Sequence, residues 1–143
     1  MMTNLVAKAE IDIAATPLAV WQALTDPAQI KQYFFGTEVE TDWQPGSAIV
    51  WKGEFEGKTY EDRGEILEAV VAQRLKLTHF SPLSGRPDEP ENYHTLTYEL
   101  EPRDAGTHLS LSQDNNNDED EARRAGENWE AMLAGLKSTV ETA

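Results

Sequence analysis

The apolar residues at the start of the chain fall on every second position: Leu5, Ala7, Ala9, Ile11 and Ile13 alternate with Val6, Lys8, Glu10 and Asp12. A period of two predicts a half-buried strand. Thr16-Pro17 then supplies a hydroxyl cap followed by proline at the first helical position, and Leu18, Val20, Trp21 and Leu24 form one apolar helical face. Asp26-Pro27 repeats that start signal and opens a second short helix, in which Ile30 and Phe34 share a face and Gly36 is the stop.

From Val39 to Gln113 the pattern is that of strands broken by turns. Ile49, Trp51 and Phe55 share one parity, as do Leu75, Leu77 and His79, then Leu96, Tyr98 and Leu100, then Leu109 and Leu111. Turn signals at Pro45-Gly46, Glu56-Gly57, Ala72-Gln73 and Asp104-Ala105-Gly106 make this an antiparallel meander. The segment from Ser81 to Asn92 holds three prolines and a glycine, so it is either a mobile connection or a flap. After Asp114-Asn-Asn-Asn-Asp-Glu-Asp-Glu121 the period changes to 3.6. Ala122, Ala125, Trp129, Met132, Leu133, Leu136 and Val140 form one stripe, which predicts a long amphipathic helix capped by Asn117 or Asp118. The fold class expected is α+β: a curved antiparallel sheet of six to seven strands gripping the last helix, with two short helices after the first strand.

Length adds that residues 1–143 suffice for a single domain with one sizeable core. The absence of cysteine removes disulfides, thiolate metal sites and thiol nucleophiles, and suits a cytoplasmic address. Lys8, Glu10 and Asp12 interrupt the apolar pattern of the first twelve residues, so no signal-peptide core is present there. No stretch approaches the ~20 apolar residues of a membrane span, so no membrane anchoring is expected. A formal net charge of −14 opposes nucleic acid and anionic lipid as partners, since both are held chiefly by Lys and Arg.

Three stretches carry a resemblance. Ile13-Ala-Ala-Thr-Pro-Leu-Ala-Val-Trp-Gln-Ala-Leu-Thr-Asp-Pro27, Gly64-Glu-Ile-Leu-Glu68 with Arg74-Leu75, and Gly126-Glu-Asn-Trp129 with Leu133 and Leu136-Lys137 follow one another in a set order. The chain resembles the helix-grip (START-like, SRPBCC) superfamily, in particular the branch of the activator of the ninety-kilodalton heat-shock-protein ATPase. It departs from that pattern at Val71-Ala72-Gln73, where a proline often precedes the Arg-Leu pair, and at Phe80, where a Trp often stands. The resemblance implies a hydrophobic cavity between sheet and last helix, used for apolar ligands, for cyclase-type chemistry or for docking a chaperone in the stress response.

Phe34, Trp51, Phe55, Leu77, Tyr98, Trp129, Met132 and Leu133 are the apolar residues expected to line such a cavity, whose usual size is ~300–1,000 Å³. His79 and Gln113 share parity with buried leucines and are the expected polar anchors, because a buried polar group needs a partner. Filling of the core alone is the competing account of Trp51, Phe55, Tyr98, Trp129 and Met132, and for His79 and Gln113 it is a histidine satisfied by a backbone carbonyl or a strand-end residue already in solvent. The leading expectation is binding of a small hydrophobic or amphipathic molecule, without catalysis and with no cofactor. Protein docking to a chaperone or another protein is the first alternative. The second is a cyclase- or dehydratase-like enzyme, with His79 as base and Tyr98 or Glu68 as its partner. Asp114, Asn116 and Asp118 imitate the start of a calcium loop, but Glu119 stands where glycine is needed and Ala125 where a bidentate Glu belongs. His79, His94 and His108 have no metal-ligand spacing.

Overall fold

The computed structural model describes residues 5–34, 36–82 and 85–142, with Phe55 described by its backbone. Strand β1 (Leu5–Ile13) leads into α1 (Pro17–Thr25) and α2 (Pro27–Tyr33), followed by β2 (Glu38–Glu40), β3 (Ala48–Phe55), β4 (Lys58–Val70) and β5 (Arg74–His79). A 3₁₀ turn (Pro90–Asn92) precedes β6 (His94–Arg103), β7 (Gly106–Asn116) and α3 (Glu119–Glu141). The seven strands form one antiparallel, unclosed curved sheet in the order β1-β7-β6-β5-β4-β3-β2.

Both short helices begin where the capping residues require. The Thr16 hydroxyl accepts from the amide of Ala19, and the Asp26 carboxylate accepts from that of Ala28, which satisfies donors that a first turn leaves free. Of the face expected on α1, Val20, Trp21 and Leu24 are buried together with Ala23, whereas Leu18 is exposed. At 100° per residue the four buried side chains span one arc, and Leu18 points well outside it. Gly36 ends this region with φ +75°, a conformation suited to glycine. Glu56 and Gly57 both have positive φ and join Phe55 to its pair Lys58, the signature of a type I′ hairpin.

Helix α3 starts three residues before the apolar stripe does. Asp118 accepts from the amide of Glu121, and Glu119, Asp120 and Glu121 occupy the first turn, where the helix dipole favours negative charge. Trp129, Met132, Leu133 and Leu136 turn into the hollow of the sheet and are buried. There they meet Ile13, Val20, Ile49, Ile66, Leu75, Leu77, Leu96, Leu109 and Leu111 in one core. At Gly135 a Cβ would lie 3.3 Å from Tyr33, so α3 and α2 approach backbone to backbone. The far end of α3 is fastened to β1: Lys137 Nζ donates to the carbonyl of Asp12 at 2.8 Å, and the amide of Ala14 donates to Glu141 Oε2 at 2.8 Å.

Candidate functional site

Helix α3 packs chiefly on β1 and α2, and inward-facing residues of β3 to β6 near its first turn form a polar row. Trp51 stands directly opposite Asp62 across β3 and β4, and His79 directly opposite His94 across β5 and β6. The Nε2–H of His79 donates to Asp62 Oδ2 at 2.9 Å, and the indole of Trp51 meets the imidazole edge-on with centroids 4.9 Å apart. His94 Nδ1–H donates to the carbonyl of Asp114 at 2.8 Å, and its Nε2 lies 3.9 Å from Glu121 Oε1 on α3. The side chains of Asp62, His79, His94 and Glu121 keep 13, 19, 18 and 26% of their surface exposed, so the row borders solvent.

Two acceptors in this row have spare capacity. Asp62 Oδ1 is buried with no hydrogen-bond partner. In a neutral His79 that donates through Nε2, the other ring nitrogen is an acceptor. Gln113 is satisfied within the protein: its Oε1 accepts from Trp129 Nε1 at 2.8 Å, and its Nε2 donates to Asn116 Oδ1 at 3.0 Å. Asn116 in turn donates to the carbonyls of Leu5 and Gln113. Gln113 therefore locks α3 to β7 and to the start of β1.

Behind the row, Phe34, Trp51, Leu77 and Tyr98 line one void together with Leu24, Ile30, Tyr33, Trp43, Ile49 and Leu75. That void measures only about 20 Å³, room for a single water rather than the ~300–1,000 Å³ expected of a ligand cavity. Aromatic side chains take up the space, with Phe34 edge-on to Trp129 at 5.9 Å. The Tyr33 hydroxyl donates to the carbonyl of Ala23, while that of Tyr98 has no partner among the described residues. Burial pushes the pKa of both phenols well above the usual tyrosine value, so both remain protonated donors.

Of the ten residues expected from sequence, Phe34, Trp51, Leu77 and Tyr98 line the void, and His79 belongs to the polar row. Met132 and Leu133 are core residues of α3, and Gln113 and Trp129 form the lock beside the row. The side chain of Phe55 lies outside the described residues. The partner of His79 is Asp62, where Tyr98 or Glu68 was expected; Glu68 lies 3.6 Å from Arg74 instead. Asp62, His94 and Glu121 were missed, although Asp62 sits two and four positions from Tyr60 and Ile66, and His94 two and four from Leu96 and Tyr98. Among the described residues no group of three or more His, Asp or Glu is arranged to hold a metal ion.

Residues 85–92 border the same opening on one side and reach the other face of the sheet on the other. Arg86 lies 3.5 Å from Glu121 on α3 and Asn115 donates to the carbonyls of Glu91 and Tyr93, while Arg63 pairs with Asp88 at 3.2 Å on the outer face. The described part of this segment is thus tied to both the helix and the sheet.

Residues 14–141 match the family described as activator of Hsp90 ATPase homolog 1-like protein. The solution structure of ChR145 from Cytophaga hutchinsonii shares 47% identity over 99% of this chain and 97% of that one, with a TM-score of 0.87. The Aha1 dimer from Colwellia psychrerythraea shares 21% identity over 98% of this chain and 95% of that one, with a TM-score of 0.75. NE0264 from Nitrosomonas europaea shares 21% identity over 96% and 95% of the two chains, with a TM-score of 0.77. The last two likenesses show the fold alone. No curated protein matches the chain. No helix among the described residues is long and apolar enough to cross a membrane.

Proposed function

The chain belongs to the activator of Hsp90 ATPase homolog 1-like family, and from that premise we propose that it is a binding domain for a small amphipathic molecule seated at the opening under the first half of α3. The observation that carries this reading is Asp62 Oδ1, a buried carboxylate oxygen with no partner beside His79 and Trp51. A buried acceptor left unpaired costs about 1–3 kcal/mol, which a donor brought by a ligand recovers. The polar end of the ligand is therefore a hydroxyl or amine rather than a carboxylate, and its apolar body lies against Trp51, Phe34 and Trp129. Since the enclosed void holds only about 20 Å³, the body rests at the opening or spreads it by moving α2 and the segment from Ser81 to Asn92.

The test is an NMR amide-shift titration with naphthol and, in parallel, naphthoic acid. Naphthol is expected to move the amides of Trp51, Asp62, His79 and His94, and to bind about tenfold more weakly to Asp62→Asn, which loses a charge-assisted hydrogen bond. Saturable binding of neither probe, or shifts confined to another face, sinks the proposal.

The His79–Asp62 pair also favours a second reading, in which Asp62 orients His79 as a general base on a bound substrate. Conversion of a bound alcohol or carbonyl compound that is lost in His79→Gln while binding persists would establish it. The family description supports the docking alternative, whose own test is stimulation of an Hsp90-type ATPase by the purified chain.

A further inference from the structure

The outer face of β3 and β4 is not left bare. Asp88, Pro90 and Tyr93 lie beside it and bound an open groove of about 640 Å³. Ala48 and Val50 form its floor, Pro90 and Tyr93 one wall, and Glu61 and Glu65 its rim. The wall is held in place before anything binds: the Tyr93 ring stacks on Phe80 with centroids 5.2 Å apart, its hydroxyl donates to Asp88, and its carbonyl accepts from Asn115.

The charges of the groove are unevenly matched. Arg63, between the two glutamates, is taken by Asp88 at 3.2 Å, and Lys52, opposite Glu61, pairs with Glu40 at 3.4 Å. Glu61 and Glu65 form no ion pair among the described residues. They stand four residues apart on one strand, a separation of about 13 Å. In an extended peptide the side chains of residues i, i+2 and i+4 share one face and span that same length.

We propose that this groove docks an extended basic segment of a partner protein, with lysine or arginine at two positions four residues apart and an apolar side chain midway. The two cations meet Glu61 and Glu65, and the apolar side chain enters between Val50 and Tyr93. The formal net charge of −14 draws such a segment in from a distance. This site is separate from the opening under α3, being on the opposite face of the sheet.

The test is an NMR titration with the capped peptide Lys-Thr-Leu-Thr-Lys and with Glu-Thr-Leu-Thr-Glu as control. The basic peptide is expected to shift the amides of Val50, Glu61, Glu65 and Tyr93, and to bind less tightly as salt is raised. In the double variant Glu61→Lys/Glu65→Lys its affinity should fall at least about tenfold, since two attractive pairs become repulsive. An unchanged thermal unfolding curve shows that the variant is folded, and Glu61→Gln/Glu65→Gln serves in its place if it is not. Equal binding of the acidic peptide, binding untouched by the variants, no saturable binding, or shifts at Trp51 and His79 instead would overturn the proposal.

Discussion

Replacement of Gln113 by leucine separates a structural anchor from a ligand anchor. Gln113 is 7% exposed, and its amide sits between Trp129 and Asn116, themselves 5% exposed. Leucine is close in size, so little cavity or strain arises, but the indole N–H of Trp129 and the Oδ1 of Asn116 lose their partners. Each buried group so stranded costs about 1–3 kcal/mol, and leucine recovers about 1 kcal/mol through easier burial, which leaves a net loss of about 1–5 kcal/mol. An unfolding entropy of about 2.1 cal/mol/K per residue over this length makes 1 kcal/mol worth about 3 °C, so Tm should drop by about 3–15 °C. Urea denaturation of the four members of a double-mutant cycle with Trp129→Phe checks the assignment. A coupling of at least about 1 kcal/mol is expected, because each single change leaves the other group unpaired. If Gln113→Leu costs under about 0.5 kcal/mol, water reaches these groups and the lock described here does not exist.

Tyr98→Phe removes, from a residue that lines the void, a hydroxyl that forms no hydrogen bond seen among the described residues; stability in thermal unfolding should change by less than about 1 kcal/mol, and a larger loss would reveal a hidden hydrogen bond. Hydrogen bonds to Asp12 first and Glu10 second raise the pKa of His108, so its contribution is complete below the ordinary histidine pKa and fades as pH rises through the higher folded value. The stability difference between the native chain and His108→Gln should therefore be largest below the ordinary histidine pKa of about 6.5 and shrink as pH rises above it, and a difference that grows instead refutes the pairing. Asp118→Ala leaves the amide of Glu121 without its cap and should cost about 1 kcal/mol in chemical denaturation. At Gly64 a Cβ would lie 1.8 Å from the carbonyl oxygen of Thr78, so Gly64→Ala should destabilise by about 1–3 kcal/mol or more, and a neutral outcome by the same assay would mean that β4 and β5 can part there.

Those elements whose residues act locally were legible in the sequence. Thr16-Pro17 and Asp26-Pro27 start α1 and α2 because a cap and a fixed φ need no distant partner, and the stripe through Trp129 faces the core because its period is that of a helix. What could not be read were pairings set by register. His79 was placed inward correctly, but the strand that supplies its partner follows from an irregularity in the β4–β5 pairing between Ile66 and Glu68, which no local pattern announces. Gln113 was placed inward as well, yet its partners Trp129 and Asn116 depend on where α3 crosses β7. Trp43 lines the void from a loop, with φ +62°, and so lies on no periodic pattern at all. The size of the void was misjudged because volume is a balance of ten side chains, and hydropathy reports only their direction.

The pairing of β1 with β7 sets how this molecule must fold. Ile13 meets Thr107 roughly 90 residues later in the chain, so the sheet reaches full width only after a long loop has closed. Such high contact order predicts refolding in milliseconds to seconds rather than microseconds. It also makes the amides of β1 report global unfolding in hydrogen exchange, since they cannot open without releasing α3 as well.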